Sequence, residues 1–132
     1  MSIAFQATII DISTPRWGIV VTLSADYEED AEEERYVTLQ RKDEYTRQDV
    51  DLGMNGVHIE CCGQGWSWYG HIESVALSRD RLDIVLDKEA AEHMFNDGRI
   101  EVGFSVDFAK YLELKTALRR VFHGLRHYNE FE

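Results

Sequence analysis

The clearest alternation of apolar and polar residues in the chain runs from residue 99 to residue 106. Ile100, Val102, Phe104 and Val106 fall on one side of an extended backbone, and charged, small or polar residues fall on the other. Successive side chains of a strand point to opposite faces of a sheet. The pattern therefore predicts a strand with one buried face.

A long helix is predicted directly after this strand. Asp107 can cap its N-terminus, and large apolar residues recur after it at helical spacing: Phe108, Tyr111, Leu112, Leu118, Val121 and Phe122. The spacing predicts a packed face through positions 108, 111, 112, 115, 118, 119 and 122. Leu112 and Leu118 are accordingly expected in the core, and the last eight residues are expected either to dock or to fray.

Shorter patterns of the same kind fill the rest of the chain. Asp87 can cap a short helix over residues 88–95, and a polar connection with two glycines is expected before residue 57. Together the elements predict an α+β fold, an antiparallel sheet of about six or seven strands with the short helix and the C-terminal helix packed on one face. The 132 residues fit a single domain. The further predicted strands cover residues 3–12, 17–24, 35–42, 57–62, 71–78 and 81–87.

The charge balance narrows the classes of partner. The chain has 14 basic and 25 acidic residues, a formal net charge of −11. Such a field repels nucleic acid and anionic lipid and speeds encounter with a basic partner. The sequence has no apolar run long enough to span a membrane and no signal-peptide pattern at its N-terminus. With two cysteines, a reducing cytoplasm is the expected location.

Much of the acidity lies in one stretch, EEDAEEE at residues 28–34, in which only Ala31 is not acidic. So dense a run of like charge repels itself and predicts a mobile loop. It can be a solvated run or a contact for a basic protein surface. The acidic residues proposed for such a contact are Glu28, Glu29, Asp30, Glu32, Glu33 and Glu34.

Three large aromatic residues, Trp66, Trp68 and Tyr69, follow a glycine-containing turn. They can pack in the core, or they can be exposed anchors for a protein partner, because Trp and Tyr dominate interface hot spots. Both alternatives stay open from the sequence.

Cysteine and histidine residues offer weaker candidates. His58, Cys61, Cys62 and His71 include zinc-ligand types, but neighbouring strand residues point to opposite faces, so the two thiolates would not easily meet one ion. A buried, reduced cysteine is the simpler interpretation. Cys62 with a histidine could act as a nucleophile, but the pattern is generic. The sequence predicts no catalytic residue, no metal and no cofactor.

Five segments of the C-terminal half together form a pattern: YGHIESVAL at 69–77, RLDIVL at 81–86, AA at 90–91, IEVGF at 100–104 and LELKTALRRVF at 112–122. In these segments the chain resembles the immunity protein 10 family, small bacterial proteins encoded beside polymorphic toxins. The chain departs from the family at Gly70-His71, where two glycines are expected. The resemblance implies a protein that protects its producer by binding a toxin.

The sequence leads to three hypotheses about function. The first is an immunity protein that neutralises a cognate, basic toxin such as a nuclease by stoichiometric binding, with the acidic run guiding encounter and the aromatics as anchors. The second is a non-catalytic structural or binding module, for example a homodimer. The third is a small enzyme that uses Cys62 or a histidine.

Overall fold

The computed structural model describes residues 3–25, 35–52, 56–62, 67–94 and 97–131, without the side chains of Trp68 and Met94. These residues form ten strands and three helices. The strands are β1 Ile3–Ala7, β2 Ile9–Ser13, β3 Gly18–Ser24, β4 Tyr36–Lys42, β5 His58–Cys61, β6 Ser67–Tyr69, β7 Ile72–Leu77, β8 Arg81–Leu86, β9 Arg99–Phe104 and β10 Tyr128–Glu130. The helices are α1 Arg47–Asp51, α2 Lys88–Met94 and α3 Phe108–Val121.

The strands make two five-stranded sheets. The first has the order β1-β9-β8-β7-β10 and the second has the order β2-β3-β4-β5-β6. All pairs are antiparallel except β1 with β9 and β7 with β10, at the two edges of the first sheet. The predicted α+β class is confirmed. The strands are more numerous than the six or seven expected, and they are divided between two sheets.

The chain passes from one sheet to the other at Thr8 and again at Gly70-His71. Residues 3–12, predicted as one strand, are therefore two strands that belong to different sheets. At the second crossing Gly70 has a φ of 76° and His71 a φ of 63°, in the left-handed region that favours glycine. His71 thus takes a glycine-like conformation, and its Nδ1 lies 2.8 Å from a carboxylate oxygen of Asp87.

The packed face of α3 differs from the predicted one. Leu118 is fully buried, but Leu112 is 43% exposed and Phe108 is 64% exposed. The true face is rotated by about a quarter of a turn from the predicted one, because the predicted face includes Lys115 and Arg119. Burying those charged groups would cost more than leaving two apolar side chains partly in water. The buried residues of α3 are Tyr111, Leu114, Ala117, Leu118 and Val121.

Both ends of α3 are held by side chains. Asp107 accepts a hydrogen bond from the Lys110 N–H at 2.8 Å, as predicted for its N-terminal cap. At the other end the Arg41 guanidinium donates to the carbonyl oxygens of Val121, at 3.0 Å, and His123. The last carbonyls of a helix have no partner within the helix. Arg41 therefore ties the end of α3 to β4.

The C-terminal residues dock. β10 extends the first sheet beside β7, the rings of Tyr128 and Phe122 stack with centroids 5.2 Å apart, and Glu130 lies 2.9 Å from the Arg119 guanidinium. The connection expected before residue 57 contains a short helix, α1, capped by Thr46. Among the described residues, no helix has the length and apolar character needed to cross a membrane.

Candidate functional site

The second sheet turns one face to the core and leaves the other half-exposed. Its buried side chains include Val21, Leu39 and Ile59, and the residues that alternate with them are only partly buried. The name "outward face" is used for these residues, which are Val20, Thr22, Tyr36, Thr38, Gln40, His58, Glu60, Ser67 and Tyr69.

Hydrogen bonds between neighbouring strands order this face. The hydroxyls of Thr22 and Thr38 lie 3.2 Å apart across β3 and β4. The Tyr36 hydroxyl donates to a carboxylate oxygen of Glu60 at 3.1 Å across β4 and β5. These hydrogen bonds therefore fix the relative positions of the side chains that form them on the outward face.

A cavity of about 340 Å³ opens at one end of the outward face and is called here the aromatic pocket. Trp17 is the residue before β3, and its side chain is 44% exposed. Tyr45 comes from the connection between β4 and α1, and Tyr69 comes from β6. The pocket is lined by Trp17, Gln40, Arg41, Lys42, Tyr45, Gly56, His58 and Tyr69.

Strand register and two hydrogen bonds position the rings. His58 and Tyr69 are directly opposite each other in the β5–β6 pair, with ring centroids 4.8 Å apart and ring planes at 59°. The Tyr45 hydroxyl accepts from the Lys42 backbone N–H at 3.2 Å and donates to the Gly56 carbonyl. The pocket walls are therefore formed before any ligand arrives.

His58 contributes an imidazole ring to the aromatic pocket wall. Burial lowers its pKa, and the opposing effect of the nearby Glu60 carboxylate is smaller. The imidazole is consequently uncharged at neutral pH. Its Nδ1 is buried and has no hydrogen-bond partner within the described part of the chain.

Comparison with known families decides what kind of protein this is. The model of one family, described as Immunity protein 10, matches residues 6–112. The chain belongs to the immunity protein 10 family. No curated protein matches the chain, and no solved structure does. The match runs from β1 into α3, so it also covers the N-terminal half, which the resemblance of the C-terminal segments had left out.

Membership of the immunity protein 10 family supports an immunity function and implies a toxin as partner. The family is generally non-catalytic. The aromatic pocket and the acidic stretch at 28–34 both fall inside the matched residues.

The structure brings one of the predicted site residues, Tyr69, into the aromatic pocket. Trp68 is opposite Ile59 in register, but its side chain lies outside the described residues, as does all of Trp66. The same holds for the predicted acidic contact residues, which are Glu28, Glu29, Asp30, Glu32, Glu33 and Glu34.

The residues that flank the acidic stretch lie at the opposite end of β4 from the aromatic pocket. The Ala25 N–H donates to the Arg35 carbonyl at 2.9 Å, so the two flanking residues are neighbours. Arg41 in the pocket wall is six residues along the chain from Arg35, which in a strand is about 20 Å.

Sequence reasoning missed Trp17, Tyr45 and His58 as neighbours of Tyr69. From Trp17 to Tyr69 the four residues span more than 50 positions, and they meet because β3, β4, β5 and β6 are consecutive in the sheet. The available signal was their position next to predicted strand ends, which carries no information about which strand ends meet.

The two cysteines lie closer together than predicted. Their Sγ atoms are 3.5 Å apart, because Cys62 has a φ of 48° and leaves the regular strand conformation. The prediction that their side chains would diverge was wrong. The hydrogen bond with Cys62, together with burial, raises the pKa of Cys61. No group of three or more potential metal ligands converges within the described ranges.

Proposed function

We propose that the protein neutralises a cognate toxin by one-to-one binding, that the outward face and its aromatic pocket contact the toxin, and that the toxin is basic, as nucleases are. Family membership supplies the class of partner. The observation that carries the choice of surface is the meeting of Trp17, Tyr45 and Tyr69 around one open cavity. Binding there would cover the toxin's active site or another essential surface.

Aromatic side chains favour this surface for energetic reasons. Trp and Tyr supply large contact areas with few rotatable bonds and are enriched among the residues that dominate interface affinity. A cavity lined by such rings gives a partner side chain a site that excludes water. Trp66, directly before β6, and Trp68, within it, are proposed as further anchors for the toxin.

The distribution of charge supports a basic partner. Seven of the 25 acidic residues lie between residues 26 and 34, so the remaining 18 face 14 basic residues. The rest of the chain thus carries only −4 of the net −11. An acidic field of this kind accelerates encounter with a cationic surface. A nuclease has such a surface, because its substrate is a polyanion.

The test is to mix the purified protein with the product of the neighbouring toxin gene and measure mass by light scattering and heat by titration calorimetry. A one-to-one complex whose association slows as salt rises is expected. Absence of a complex, together with a protein that has the mass of a dimer on its own, would replace the proposal with the homodimeric module.

A further inference from the structure

The cationic side chains that line the aromatic pocket have their charges engaged outside it. The Arg41 guanidinium is bound to the carbonyl oxygens at the end of α3. The Lys42 ammonium lies 3.5 Å from the Asp49 carboxylate. His58 adds no charge at neutral pH, since burial lowers its pKa. An anionic ligand would therefore find no unengaged cation in this wall.

The aromatic pocket also disfavours a cationic ligand. None of the eight lining residues that the structure describes is acidic, so a cation would meet ring faces, the Gln40 amide and two neighbouring cations. Ring faces do attract cations, but a desolvated charge without a counter-ion is costly. The wall favours an uncharged apolar group, which gains from burial without losing hydration.

The size of the aromatic pocket restricts the ligand further. A volume of about 340 Å³ is at the lower end of the range for small-molecule sites. It accommodates one large aliphatic or aromatic side chain with its backbone outside. The rings that line the cavity are held by the β5–β6 register and by the Tyr45 hydrogen bonds, so little ordering is needed on binding.

We propose that the aromatic pocket receives one uncharged apolar side chain of the toxin. The volume of the cavity, the engagement of its cations elsewhere and the fixed position of its rings support this occupant. The inference rests on the proposed function, and it adds the chemistry of the toxin side chain that this protein recognises.

The pocket chemistry can be tested without the toxin. The ¹H–¹⁵N spectrum is recorded during titration with N-acetyl-leucinamide, N-acetyl-phenylalaninamide, N-acetyl-lysinamide and N-acetyl-aspartamide. The two apolar amides are expected to shift the Trp17 indole and Tyr69 signals with half-saturation on the order of 1 mM, and the charged amides are expected to leave them in place. Equal or larger shifts from a charged amide would overturn the proposal.

Two variants sharpen this test. Trp17→Ala is expected to weaken the affinity for the apolar amides at least tenfold. Phe108→Ala removes an exposed ring on α3 and is the matched control, so its affinity should be unchanged. Gln40→Glu places a carboxylate in the pocket wall and is expected to reverse the preference toward N-acetyl-lysinamide. Unchanged selectivity in Gln40→Glu would show that the amides bind elsewhere.

The toxin itself separates this inference from the proposed function. If the neighbouring gene product binds the native protein and Trp17→Ala binds it equally well, the pocket assignment is wrong and toxin neutralisation stands. If the apolar amides bind as expected and the gene product does not, the pocket chemistry stands and the proposed function is wrong. At least a tenfold loss of toxin affinity in Trp17→Ala, with Phe108→Ala unchanged, supports both.

Discussion

Leu112 and Leu118 share α3 but not its environment. Leu118 is fully buried and Leu112 is 43% exposed. Leu118→Ala removes buried methyl groups and leaves a cavity, so it is expected to lower the free energy of unfolding by about 2–5 kcal/mol. Leu112→Ala is expected to change it by less than about 0.5 kcal/mol. Urea denaturation measures both, and equal losses would mean that the assigned face of α3 is wrong.

Gly18 is a residue at which no side chain fits. A Cβ there would lie 2.0 Å from the Arg41 carbonyl oxygen, which belongs to the backbone of the paired strand. Gly18→Ala is expected to destabilise the protein by about 1–3 kcal/mol. Gly103→Ala is the control, because its Cβ would meet the mobile end of the Gln6 side chain at 2.4 Å. Thermal unfolding should separate the two variants, and similar melting temperatures would contradict the explanation.

At the scale of elements, Arg41 joins a strand to the end of a helix. Arg41→Met keeps the apolar stem and removes the donors to Val121 and His123. Hydrogen bonds from charged donors contribute about 1.5–3 kcal/mol, so a loss of that size in the free energy of unfolding is expected. Hydrogen exchange should show the last turn of α3 opening first. Arg47→Met on the exposed surface of α1 is the control and should match the native protein.

Elements with local signals could be predicted from the sequence, and their partners could not. Asp87 and Asp107 identify the starts of α2 and α3 because a cap acts within one helical turn. The alternation at residues 99–106 identifies β9. Nothing local indicates that β9 pairs in parallel with β1, since residues 8–98 separate the two strands and parallel pairing requires a long connection.

The candidate site, like the fold, could be predicted from the sequence only in part. Tyr69 was predicted from a local cluster of aromatics, and the structure places it in the aromatic pocket. Trp17 and Tyr45 were not predicted as its neighbours because their proximity depends on the order of four strands. The predicted binding roles of Trp66, Trp68, Tyr69 and the acidic run stay predictions.

Acid should destabilise the whole molecule through its paired carboxylates. Burial alone would raise the pKa of Glu130, but hydrogen bonds from Arg119 and Tyr128 outweigh burial and lower it below the ordinary 4.5. A carboxylate whose pKa falls on folding stabilises the native state in full above the unfolded-state pKa. The contribution is lost as pH falls below about 4.5 and through the folded-state pKa.

Protonation of His58 should also lower the stability of the protein, at a higher pH than protonation of Glu130. Its pKa is lowered from 6.5 by burial, so the unfolded chain binds the proton more readily than the folded one, and stability should begin to fall below about pH 6.5. Melting temperatures measured between pH 8 and 3 test both steps. His58→Gln should remove the loss of stability that begins below about pH 6.5, and Glu130→Gln should reduce the loss that begins below about pH 4.5. A melting temperature that rises on acidification would contradict the assignment.

The distribution of charge over the whole molecule should control the rate of association with a basic toxin. Neutralising Glu28, Glu29, Asp30, Glu32, Glu33 and Glu34 to their amides is expected to slow association about tenfold or more at low salt and to flatten its salt dependence, with a smaller effect on dissociation. Stopped-flow measurements at several salt concentrations test this.

A matched control keeps the charge change constant. Glu32, Glu33 and Glu34 changed to Gln are compared with Glu73, Glu89 and Glu113 changed to Gln, which are exposed acids on β7, α2 and α3. The first variant should slow association more than the second. Identical rates would mean that total charge matters and that the position of the acidic stretch does not.

The hydrogen bond between Ala25 and Arg35 closes the β3–β4 hairpin from described residues alone. Seven paired positions, from Gly18–Lys42 to Ser24–Tyr36, hold the same two strands together. Both attachment points of residues 26–34 are therefore fixed within one antiparallel ladder. A replacement segment can be grafted between Ala25 and Arg35, and the free energy of unfolding then measures how far the ladder depends on the residues that were exchanged.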